Sequence, residues 1–260
     1  MTTTDKSAAI VLTLFVWGLA GALFGGLFAA LYELLLVLGL GGWKPLMLGT
    51  VIASVTTSAF YSAMPVALVG AMSGIVASIA TLMATGHHHR LVLLAGVAAG
   101  VGVLAGSFYA WMAKGGGRPL AETFTGLLSG VGAGALMWLA LVLYGAEVSM
   151  FILAAGVVAL VGSLFQLSEH WIVSAVSGRV PSKLSAPVVS GLIAAVVGAS
   201  VWVMGGSTAA STLDGATKVA IGQVLSEVPL GFLGGMLGGA VTGLLLEIMG
   251  AHLEEHDVSK

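Results

Sequence analysis

The sequence predicts an all-α, polytopic transmembrane helix bundle with glycine-rich helix packing and two proline-broken segments. Three observations carry this. Only 8% of the 260 residues are charged while 58% are hydrophobic, where soluble proteins carry about 25% charged residues, and the mean hydropathy is +1.09. The apolar residues lie in runs long enough to cross a bilayer, for which about twenty suffice. The 39 glycines fall inside those runs and lack the period of three that a collagen-like repeat needs.

The same composition excludes several classes of function. A net charge of -2 with no basic stripe offers nothing to hold nucleic acid. The absence of cysteine rules out disulfides, thiolate metal sites and cysteine nucleophiles. No HExxH, GxSxG, P-loop or dinucleotide fingerprint occurs, so an enzyme with a membrane-buried site ranks third behind the two readings below, and no cofactor can be named.

Taken in order, residues 8–38 form a retained first span, longer than a bilayer needs and therefore tilted or protruding. Glu33 falls near its far end beside Tyr32. Trp43 and Lys44 follow as an interfacial anchor. Residues 46–84 are too long for one ordinary span. They are interrupted by the hydroxyl-rich SVTTSAFYSAMP, where Pro65 makes Met64 a break point. After three histidines and Arg90 come a span at 91–113 and the connection KGGGRP. The next is 120–144, with Glu122 in a first turn that favours a carboxylate. Glu147 separates it from 149–175, which carries Gln166, Glu169 and His170. The loop SGRVPSK leads to a span at 184–204. The last block contains Asp214, Lys218, Gln223, Ser226 and Glu227 before Pro229.

The final ridge, PLGFLGGMLGGAVTGLLLE, places Gly231, Gly235, Gly239 and Gly243 on one helical row and Gly234 and Gly238 on a second. In lipid, small residues four apart let helix backbones approach closely, and van der Waals contact takes the place of a hydrophobic drive. The spacing recurs at Gly21 and Gly25, Gly70 and Gly74, Gly96 and Gly100, and Gly126, Gly130 and Gly134. Laying Pro65 on Pro229 aligns Ser62 with Ser226, Gly70 with Gly234 and Gly74 with Gly238. This suggests an internal repeat of 8–84 and 172–248 within a single transmembrane domain, 1–250, followed by a solvated tail, 251–260. Counting the two long blocks as single crossings gives seven crossings, with six Lys or Arg against two. That bias puts the N-terminus outside and the C-terminus in the cytoplasm.

Ionisable groups inside apolar segments are functional candidates, because a charge in hydrocarbon costs several kcal/mol. Glu122, Glu147 and Glu247 lie near span ends and are read as interfacial. Glu227 sits at the expected Pro229 break with Ser226 and Gln223. With Ser62 from the Pro65 break, these residues form the candidate substrate- or ion-binding site. The competing reading places Glu227 in water at a short turn. Asp214 and Lys218, four residues apart, are spaced for a local ion pair. His170 would need a second imidazole from His87, His88 or His89 to hold a haem, which is a poor match, and no metal site is assigned.

Two functions remain. One is secondary transport or a channel for a small solute or ion, using a carboxylate site at a broken helix. The other is a non-catalytic structural or energy-coupling subunit of a larger complex. The partners expected are the lipid bilayer and either further copies of the chain or other membrane subunits. The location expected is a multi-pass position in the cell membrane.

Overall fold

The computed structural model describes residues 3–85, 91–113, 118–145, 148–177, 179, 182–210 and 215–249. The elements among them are α1 (Thr3–Val37), α2 (Lys44–Ser62), α3 (Met64–Thr85), α4 (Leu91–Ala113), α5 (Arg118–Tyr144), α6 (Met150–Ser177), α7 (Ser182–Ala210) and α8 (Gly215–Ile248). All of these are helices, and all but α2 are long and apolar enough to cross a membrane. The chain is a multi-pass integral membrane protein. Glu147, Asp214, the three histidines and the tail 251–260 lie outside the described residues.

The prolines begin helices more often than they break them. Pro45, Pro65 and Pro119 each take the second position of a helix, where the missing N–H has no carbonyl to bond within the helix. Ala63 alone separates α2 from α3. Its N–H donates to Ala59 O at 3.0 Å to close α2, and its carbonyl accepts from Ala67 N–H at 2.9 Å to open α3. The break expected at Met64 thus falls one residue earlier. The break expected at Pro229 is absent, since α8 runs through that residue without interruption. A proline inside a helix removes one bond, here to the Leu225 carbonyl, and transmembrane helices tolerate it when neighbours hold the backbone. Pro187 lies inside α7 in the same way.

The chain divides into two compact units, one of residues 1–50, 132–164 and 225–260 and another of 51–131 and 165–224. In the first unit, α8 uses its two glycine rows against two different helices. A Cβ on Gly25 would come within 2.6 Å of Gly235 Cα, and one on Gly21 within 2.7 Å of Gly239 Cα. Ala29 lies on Gly231 and Trp17 on Gly243. The second row faces α6, with Gly234 against Phe151 O and Gly238 against Ala155 O. Thr242 continues that row, and its methyl and hydroxyl lie against Gly162. Within the second unit, Gly70 and Gly74 of α3 lie on Ser190 and Ala194 of α7, while Gly102 and Gly106 of α4 close on the same stretch from another side. Ala59, Ala63, Val66, Ala67, Ala186, Val189 and Ile193 form the buried cluster of this unit.

The glycine pair expected to pack at Gly96 and Gly100 does not do so, as nothing approaches either within 4 Å. Gly102 and Gly106, six residues further along the same helix, make the contact. Gly126 packs on Ser54 and Ser58, and Ser54 Oγ donates to Gly126 O at 2.6 Å. Ser54→Ala removes this one buried bond. It is expected to cost about 1 kcal/mol, read as a modest drop in thermal midpoint in mild detergent.

The α1–α8 contact also bears on the topology. Trp17 meets Gly243 and Ala29 meets Gly231, so the helices are antiparallel and the N-terminal end of α1 lies beside the C-terminal end of α8. Seven alternating crossings would put those ends on opposite sides. Helix α2 is not among the seven apolar spans, but its 19 residues extend about 28 Å at 1.5 Å per residue, enough for an eighth crossing. This helix is less apolar because of its hydroxyls. Thr50, Ser54, Thr56 and Ser58 are all buried, so they meet protein and not lipid. In the cysteine-free chain, Thr4→Cys and Met249→Cys are therefore expected to react with an impermeant thiol reagent from the same side, and Gly41→Cys from the other. Labelling of Thr4→Cys and Met249→Cys from opposite sides contradicts the eight-crossing topology.

Candidate functional site

The α1–α8 seam ends in two carboxylates. On α1 the contacting row is Trp17, Gly21, Gly25, Ala29 and, one turn further, Glu33. On α8 it is Gly243, Gly239, Gly235, Gly231 and then Glu227. Four-residue steps keep a row on one helical face, so the antiparallel register that sets Ala29 on Gly231 sets Glu33 opposite Glu227. The two carboxyls are close enough to repel each other electrostatically. Glu33 is 7% exposed, and its Oε2 is buried without a hydrogen-bond partner. Glu227 is half-buried. Beside them, the rings of Phe28 and Tyr32 lie 5.8 Å apart, and Gly49 of α2 packs on the Phe28 ring and the Tyr32 backbone.

The depth of the pair follows from the spans, Ile10–Val37 and Gly222–Ile248. Glu33 and Glu227 each lie about 12–14 Å from the middle of their span at 1.5 Å per residue, just inside the edge of a hydrocarbon core about 30 Å thick. The carboxyls thus sit near one membrane face, not at mid-membrane. Glu227 is part of a continuous helix and not of a turn.

The residues expected around Glu227 divide between the units. Ser226 belongs with Glu227 to the first, and Gln223 and Ser62 belong to the second. Gln223 and Ser226 are exposed on α8, and each has an interaction partner. Ser62 ends α2 with its hydroxyl donating to Ala59 O at 3.4 Å. Of the expected Asp214–Lys218 pair, only the backbone of Lys218, in α8, is described. His170 is exposed, and among the described residues no cluster of His, Asp or Glu could hold a metal.

Sequence reasoning noticed Glu33 but gave it no partner. The signal was present, because both glutamates continue small-residue rows at the four-residue step. Glu122 also departs from expectation. It is 3% exposed and lies one turn below the N-terminal end of α5, where Ser185 Oγ accepts from Leu120 N–H at 3.1 Å. Close packing of α7 on that end explains why this carboxyl is enclosed and not interfacial. The chain matches no protein-family model, no curated protein and no solved structure.

Proposed function

We propose that the protein is a secondary transporter of the cell membrane that moves a small solute or ion, with Glu33 and Glu227 as its charge centre. One observation carries this reading: a buried carboxyl oxygen without a hydrogen-bond partner faces a second carboxyl inside a membrane span. Such an arrangement costs free energy in a low dielectric and marks ion pathways in membrane proteins.

Eight crossings place Lys6, Lys114, Arg118, Arg179, Lys183 and Lys260 on one side and Lys44, Arg90 and Lys218 on the other. The bias assigns the first side to the cytoplasm, so the carboxyl pair lies towards the outer face. The test is flux of small cations and of protons into vesicles reconstituted with the purified chain. Flux above that of empty vesicles supports transport.

A second reading, a structural or energy-coupling subunit, draws on α4, where Gly96 and Gly100 form a small-residue row with nothing packed on it. It expects no flux from the purified chain and fixed partners, or further copies, co-purifying from native membrane.

A further inference from the structure

Glu33 and Glu227 continue the α1–α8 seam opposite each other, and we propose that the pair holds a single proton whose release and uptake is the coupling step. This rests on the transport reading above and names its coupling ion. Hard cations such as Ca²⁺ take six to eight oxygen ligands, and Mg²⁺ takes six. Here α1 and α8 are continuous helices at both glutamates, so apart from the Leu225 carbonyl, which Pro229 leaves without its helical bond, the backbone carbonyls around them are engaged in the helix and no unwound segment offers a ligand set. Two carboxyls alone suit a proton. One O–H donates to an oxygen of the other carboxylate, the charge of the pair falls from two to one, and the otherwise unpartnered Glu33 Oε2 is satisfied. Two carboxyls sharing a site behave in this way because both cannot ionise without strong repulsion, and the proton belongs to the pair.

The surroundings supply little that competes. Within the described helical parts of the first unit from residue 10 onwards, the other titratable groups are Tyr32 on α1, Lys44 on α2, Tyr144 on α5 and Glu247 on α8, and the α6 segment contributes none. Lys44 and Tyr144 are exposed. Glu247 lies five turns along α8, about 30 Å away at 1.5 Å per residue. Tyr32 is adjacent to Glu33 in sequence and interacts with its charge.

Two measurements test the proposal. The infrared spectrum of the native protein at neutral pH, minus that of Glu33→Gln/Glu227→Gln, is expected to show the C=O stretch of a protonated carboxyl. In reconstituted vesicles a pH gradient, and not a sodium or potassium gradient at equal pH, is expected to drive flux. No carboxyl band in the difference spectrum overturns the shared proton. Flux driven by sodium or potassium alone overturns the choice of ion. A carboxyl band together with no flux under any gradient upholds the shared proton and overturns the transport reading and the coupling role with it.

Discussion

Gly235→Leu and Gly239→Leu are each expected to abolish recovery of folded, monodisperse protein in mild detergent, while Gly96→Leu in α4 leaves it near the native yield. At Gly235 even a methyl group would collide with backbone, since an added Cβ comes within 2.7 Å of Gly25 Cα, and at Gly239 within 3.0 Å of Gly21 Cα. These are main-chain atoms of α1, which cannot rotate away as a side chain can. An oversized core residue ordinarily costs about 1–3 kcal/mol through local shifts. Here relief requires separating two helices along their whole contact. Without a hydrophobic drive in lipid, little remains to hold them once that contact is lost. Gly96 shares the residue type, the spacing and the apolar surroundings but has nothing within 4 Å. Equal tolerance at the three positions would show that the α1–α8 seam is not a contact.

Glu33→Gln and Glu227→Gln are each expected to reduce coupled flux to that of empty vesicles, with folded yield nearly unchanged. Glutamine keeps the volume and the hydrogen-bonding capacity of glutamate but cannot take up and release a proton in this range. The yield holds because neither change alters the packing of the seam, and a glutamine amide can still hydrogen-bond the facing carboxyl while removing one ionisable group from a buried position. A Glu247→Gln control, five turns away on the same row, is expected to retain flux. Loss of flux in the control to the same degree would mean that the row as a whole, and not the pair, governs activity.

Much of the fold was legible in the chain because lipid imposes strong rules. Apolar runs gave the spans, and the two glycine rows of α8 gave its two docking faces, although spacing alone could not say that they serve α1 and α6 separately. Helix α2 was obscured because hydropathy reports what faces lipid. Thr50, Ser54, Thr56 and Ser58 face protein, so this helix resembled an interruption. The prolines misled in a similar way. Pro65 removes a donor that a helix start leaves unbonded, and Pro229 removes one that α8 can spare. At the candidate site Glu227 was legible from its own surroundings, but its partner was not, because Glu33 lies 194 positions away in the sequence and pairing depends on the antiparallel register.

The apposition of the two glutamates is tested most directly by cross-linking in this chain, which has no native cysteine. Glu33→Cys/Glu227→Cys is expected to form an intramolecular disulfide under mild oxidation, since its Cα atoms continue a close-packed antiparallel seam and a disulfide tolerates Cα separations of about 4.4–6.8 Å. Glu33→Cys/Glu247→Cys, with the second thiol at the far end of the same row, is expected to remain reduced. A disulfide in the second variant and none in the first would contradict the register, and with it the carboxyl pair.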